Sequence, residues 1–190
     1  MNLLDPRPHL TPALERVVLD LCSAVPELRG LKPDAILVVG LAAHGSAAAS
    51  VRELSRVARS VSVDGHRRAI ELGLRPPFFL EGDAARRLAT LVHEMLHIDP
   101  GDPTRLYDEH RHDKTSHAAL EKQARALAAR YLEHTDPTAL LCLAHQGEVL
   151  LRQWKHRPFE TTRGRRFGDD DVFQGPVVME TPAGLRGGWW

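Results

Sequence analysis

The segment His93-Glu94-Met95-Leu96-His97 constrains this chain more than any other, because the HExxH spacing carries chemistry only on a helix. Residues four apart on a helix lie about 40° apart around the axis on successive turns. His93 and His97 can therefore present both imidazoles to one tetrahedral metal. Glu94 is turned roughly 100° from His93, where its carboxylate can hold a water beside that metal without ligating it. That is the placement of a general base. The flanks agree: Leu88, Leu91, Val92, Met95 and Leu96 recur at helical spacing on the side away from the histidines. Asp83 is placed as an N-cap, and Asp99-Pro100-Gly101 stops the helix soon after His97. The expectation is a helix that buries one stripe and turns its His/Glu face away from the core.

A catalytic zinc takes three protein ligands and leaves one position open, so a third ligand must come from elsewhere in the chain. The densest histidine cluster, His110, His112 and His117, follows in a polar stretch that leads into another helix. His112 is the first candidate, with Asp113 beside it to orient the ring. His117 and His110 come next, and Glu121 on the following helix would make a glutamate-ligand site. The position six residues beyond His97 is Pro103, where the metzincin pattern needs a histidine. That subclass is excluded. The reaction also needs a donor to an oxyanion, for which Tyr107, His110, His117 and Tyr131 are candidates.

These features resemble the minimal zincins of the SprT-like and phage-type metallopeptidase group, over roughly residues 10 to 135. The shared pattern is a leading helix, a short sheet, the helix carrying His93 to His97, and a following helix introduced by a histidine. The resemblance implies an α+β, zincin-like fold, with a short mixed sheet packed on the HExxH helix and flanking helices. It implies Zn2+ held by His93, His97 and His112, Glu94 as catalytic base, and a peptide or protein as substrate. Asp113 and Ser116 stand where that group has glycine and an aromatic residue, and the chain lacks its four-cysteine ribbon. DNA-associated proteolysis is therefore not implied. The function expected is a zinc-dependent peptidase in which Glu94 takes a proton from a metal-activated water. The alternative is a catalytically silent zincin fold kept as a metal-stabilised binding module, in which Glu94 would have no use.

Composition sets the bounds. A length of 190 residues with 43% hydrophobic content suits one domain with a small appendage. The reading is a zincin-like domain over residues 1–139, with a β-hairpin and a basic and acidic tail over 140–190. The formal net charge is zero, which gives no field to draw nucleic acid or a membrane surface. Cys22 and Cys142 form no CxxC pair and no disulfide framework. With no visible signal peptide and no apolar run of membrane-spanning length, the expected location is the cytoplasm.

Along the chain, Leu14, Val17, Val18, Leu21 and Val25 mark a helix opened by Thr11-Pro12, and Ile36 to Val39 reads as a buried strand. Ala42 to Ser50 reads as a loop or the start of a helix. Arg68 to Leu74 and Phe78 to Leu80 read as strands just before the metal helix, offering an edge to which an extended peptide could add. Leu120, Ala124, Leu127 and Tyr131 mark a further helix, and Gln146-Gly147 suggests a hairpin between Leu141 and Leu151. Basic residues from Lys155 to Arg166 are followed by Asp169-Asp170-Asp171 and a strand-like Val177-Val178-Met179. The acidic triplet cancels part of the basic field.

Overall fold

The computed structural model describes residues 5–41, 47–107 and 114–178, without the side chains of 114–116. The chain forms a mixed α+β fold around a three-stranded sheet in the order β1-β5-β2, with β1 spanning Ile36–Gly40, β2 Ala49–Glu53 and β5 Ile70–Leu74. β1 runs parallel to β5, and β2 pairs antiparallel on the other side of β5, with Val51 opposite Leu72. Both faces of β1 are covered, which is why its sequence is continuously apolar rather than alternating. Ile36 and Val38 join Ile70, Leu72 and Leu74 in the larger core, while Leu37 and Val39 enter a second, smaller one.

The larger core lies between the sheet and three helices: α1 (Thr11–Ala24), α3 (Ala84–Leu96) and α4 (Lys114–Leu132). Leu14, Val17, Val18 and Leu21 of α1 are buried in it, as the helical spacing predicts. On the opposite face, β3 (Ser60–Val63), β4 (His66–Arg67) and β7 (Arg166–Phe167) form a small sheet in the order β4-β3-β7. Val61, Val63 and Phe167 close the second core from that side. β6 (Leu150–Trp154) pairs antiparallel with β8 (Val172–Pro176). Residues beyond 139 are thus woven into both cores: Leu143, Val149 and Leu151 lie in the larger one, and β7 pairs parallel with β3.

Three segments differ from the sequence reading. Ala49–Glu53, expected as loop or helix, is the edge strand of the central sheet. Phe78 to Leu80, expected as a strand, belongs to the short helix α2 (Pro76–Leu80), in which Pro76 and Pro77 fill the first-turn positions where a missing N–H costs nothing. Phe78 and Phe79 are buried and meet edge to face at 5.0 Å, so neither is available to a peptide. The expected hairpin is also absent: Leu141–Ala144 is a helical turn, α5, and β6 finds its partner in β8 instead. Gly147 keeps its turn geometry at φ 95, and its amide donates to the carbonyl of Phe79 at 3.2 Å. Val177 and Val178 are buried just past β8, and Met179 lies outside the described residues. Among the described residues no helix is long and apolar enough to cross a membrane.

Candidate active site

Helix α3 begins where expected, with the Asp83 carboxylate accepting from the Arg86 amide at 2.8 Å. Leu88, Leu91, Val92 and Met95 are fully buried along its inner stripe. Arg87, 2% exposed, donates to the carbonyls of Leu143 at 2.9 Å, Phe79 at 3.0 Å and His145, fastening the helix to α2 and α5. That anchoring leaves the opposite face, with His93 and Glu94, turned to a cleft of about 880 Å3 between α3, α4 and the start of β2.

His93 and His97 converge. Their Nε2 atoms are 3.3 Å apart and their ring centroids 5.0 Å. A tetrahedron with about 2.0–2.1 Å from centre to each nitrogen has an edge of about 3.3 Å, so the pair fits two ligands of one zinc. Two imidazoles are also donors of the right chemical type for that metal. His117, on the first half of α4, brings its ring centroid to 5.1 Å from that of His93. Glu121, one turn further along α4, lines the same cleft and pairs with Arg125. The structure thus gathers His93, Glu94, His97 and His117, with Glu121 at the margin. His110, His112 and Asp113 lie outside the described residues. Among the described residues, no group of three or more His, Cys, Asp or Glu is arranged to hold a metal ion.

Glu94 is set against the edge strand. Burial pushes its carboxyl up to about 7, opposed by the Arg75 cation and by a hydrogen bond from the Val51 amide. A carboxylate near neutrality in a cleft is poised to take and return a proton. Tyr131, expected as a possible oxyanion donor, gives its hydroxyl to Asp20 on α1, and burial pushes the phenol up to about 12. It does not serve the cleft.

No family model, curated protein or solved structure matches this chain.

Two residues at the site escaped the sequence reading. Glu53, at the end of β2 and 4% exposed, accepts from the Leu106 amide at 2.8 Å and from Arg56 Nε at 2.6 Å. It ties the loop after His97 to the edge strand, and the Tyr107 amide returns to the His97 carbonyl at 2.9 Å. Arg75, which closes β5, reaches across to Ala49. Neither belongs to a motif, and both act through contacts between distant segments.

Proposed function

We propose that the protein is a zinc-dependent peptidase, with His93 and His97 as two of the metal ligands and Glu94 as the general base. The 3.3 Å convergence of the two Nε2 atoms beside a carboxylate raised towards neutrality carries this reading. His117 is the described candidate for the third ligand, because its ring reaches His93; His112 and His110 remain candidates, with Glu121 after them. Bound zinc would supply a Lewis acid that acidifies water and polarises a substrate carbonyl. Glu94 Oε would take the proton from the attacking water and pass it to the leaving amine.

The test begins with elemental analysis of protein purified without an affinity tag. One equivalent of zinc is expected, lost in His93→Ala and in His97→Ala, since a three-ligand site cannot spare a member. Glu94→Gln should keep the zinc and cleave an unstructured protein about 10²–10⁴-fold more slowly. Zinc content equal in wild type and both histidine variants would sink the metal assignment. A zinc-loaded wild type that cleaves nothing across a broad peptide library would leave a metal-stabilised binding module.

A further inference from the structure

The two histidines of α3 are not held alike. His93 lies within the helix, whereas His97 is its C-cap. There the ladder tightens: the His97 amide donates to the Glu94 carbonyl at 3.2 Å and the Ile98 amide to the Met95 carbonyl at 3.1 Å, three residues back instead of four. A carbonyl at this end of a helix has no partner within it. That of His97 accepts from the Tyr107 amide at 2.9 Å, and the Asp99 amide donates to the Arg105 carbonyl at 3.0 Å, which sets Ile98 opposite Leu106 in an antiparallel bridge. Ile98 to Tyr107 thus folds back as a clasp on the end of α3, and what fixes the clasp fixes His97.

The clasp is held at two places. Near its tip, Pro100 packs so closely on Gly30 that a Cβ there would stand 2.7 Å from the proline Cβ. On its return arm, the bridge turns the Leu106 N–H away from Ile98, and that donor meets Glu53 Oε1 at 2.8 Å. Glu53 ends β2 and is 4% exposed. A carboxylate so withdrawn from water needs compensating donors. Arg56, three residues on, supplies the charge, with its Nε 2.6 Å from Glu53 Oε2, and the Leu106 amide supplies a backbone donor. Hydrogen bonds to an ionised acceptor are the strong ones, so the buried acid grips the clasp more firmly than a carbonyl would.

We propose that Glu53 is a positioning residue for the histidine pair: through the Leu106 amide it fixes the clasp on the His97 carbonyl, and so keeps His97 Nε2 at its 3.3 Å from His93 Nε2. The consequence for zinc rests on the peptidase reading, and the grip on His97 does not.

The experiment compares variants of the full chain. Glu53→Ala removes the acceptor, Glu53→Gln keeps an oxygen for the Leu106 amide, and Glu53→Asp keeps the charge but loses a methylene of reach. Glu71→Gln is the control, since it takes away a buried carboxylate whose partners Arg52 and Arg157 lie outside the clasp. In metal-free protein, deuterium exchange of the Tyr107 amide reads the bond to His97 without any need for activity. Its protection should fall about tenfold in Glu53→Ala and Glu53→Asp and stay near wild type in Glu53→Gln, while Leu72, in the central strand, keeps its own. If Glu53→Ala unfolds and Leu72 loses protection with it, the contrast between Glu53→Asp and Glu53→Gln gives the same reading. Zinc affinity, measured by competition with a chromophoric chelator, should weaken about 10–100-fold in Glu53→Ala and less than about twofold in Glu53→Gln and Glu71→Gln. Wild-type protection of Tyr107 in Glu53→Ala overturns the proposal, as does a zinc affinity that is unchanged there or falls equally in Glu71→Gln. A wild type that takes up no zinc removes the peptidase reading; lost Tyr107 protection in Glu53→Ala then upholds Glu53 as the residue that holds His97, and its persistence overturns that too.

Discussion

Glu71 and Glu94 are both carboxylates withdrawn from water beside the same central sheet, and their surroundings set them to opposite tasks. Glu71, in the middle of β5 and 1% exposed, receives Arg52 Nε at 2.9 Å, Arg52 Nη2 at 2.7 Å, Arg157 Nη2 at 2.7 Å and Trp154 Nε1 at 2.6 Å. Burial alone would raise its pKa, but the hydrogen bonds and charge of Arg52 and then Arg157 outweigh it and hold the carboxyl below 4.5. Glu94, half-buried at the cleft, has only one backbone amide and one cation opposing the burial that raises it, and its carboxyl rises to about 7. Burial pushes both in one direction. The number of donors aimed at the oxygens decides whether a carboxylate becomes a fixed strut or a group ready to exchange a proton.

Breaking the strut should give the larger effect. Glu71→Gln leaves Arg52 and Arg157 facing a neutral amide, and both side chains are three-quarters buried. Removing one partner of such a network costs about 3 kcal/mol, read as a lower urea midpoint at pH 7, with Trp154 fluorescence reporting the same transition. The pH dependence follows from the lowered pKa: the stability Glu71 contributes is complete above about 4.5 and is lost as pH falls through its folded-state value. A variant as stable as wild type at pH 7 would mean that Arg157 and Trp154 hold the 154–159 segment without the acid.

Glu94→Gln in the metal-free protein should have the opposite sign. A carboxyl raised in the folded state destabilises the fold when ionised, progressively as pH rises from about 4.5 to about 7, and by a constant amount above that. The glutamine variant should therefore be more stable than wild type by about 1–3 kcal/mol at pH 8, with the gap closing towards pH 4.5. Thermal melts across that range measure it. A gap independent of pH would show that Glu94 has the same pKa folded and unfolded, and its kinship with a base poised near neutrality would end there.

The same contrast explains what the sequence made legible. Helix α3 was readable because everything that defines it is local: the Asp83 cap, the Leu88 to Leu96 stripe and the stop after His97. The convergence of His93 and His97 follows from helical spacing alone. β1 was readable because burial on both faces leaves a continuous apolar run. β2 was not, since Ala49, Ser50, Arg52 and Glu53 carry no strand signature, and pairing with a strand some twenty residues away decides their state. Arg68 to Leu74 was readable as a strand, but the partners of Glu71 within it were not, since Trp154 and Arg157 come from the far end of the chain to cover it. His117 reaches His93 only because α4 packs against α3, a tertiary contact that ranking histidines along the chain could not weigh. Phe78-Phe79 misled as a short apolar run, for which strand and buried helix look alike.

Asp83 supplies the floor of the scale, a carboxylate that is exposed, local and uncoupled from either network. It accepts the Arg86 amide at the start of α3. The helix is otherwise held by its buried stripe and by Arg87, whose carbonyl partners on α2 and α5 do not depend on the cap. Asp83→Ala should therefore cost about 1 kcal/mol, the usual loss for an N-cap, and leave the separation of His93 and His97, about three turns or more away, untouched. Urea denaturation should show a small shift in midpoint with an unchanged slope, while zinc content and cleavage stay at wild-type levels. A loss of zinc in Asp83→Ala would mean that the first turn of α3 frays far enough to disturb the histidine pair, and that the metal pair depends on its cap more than on the buried stripe beneath it.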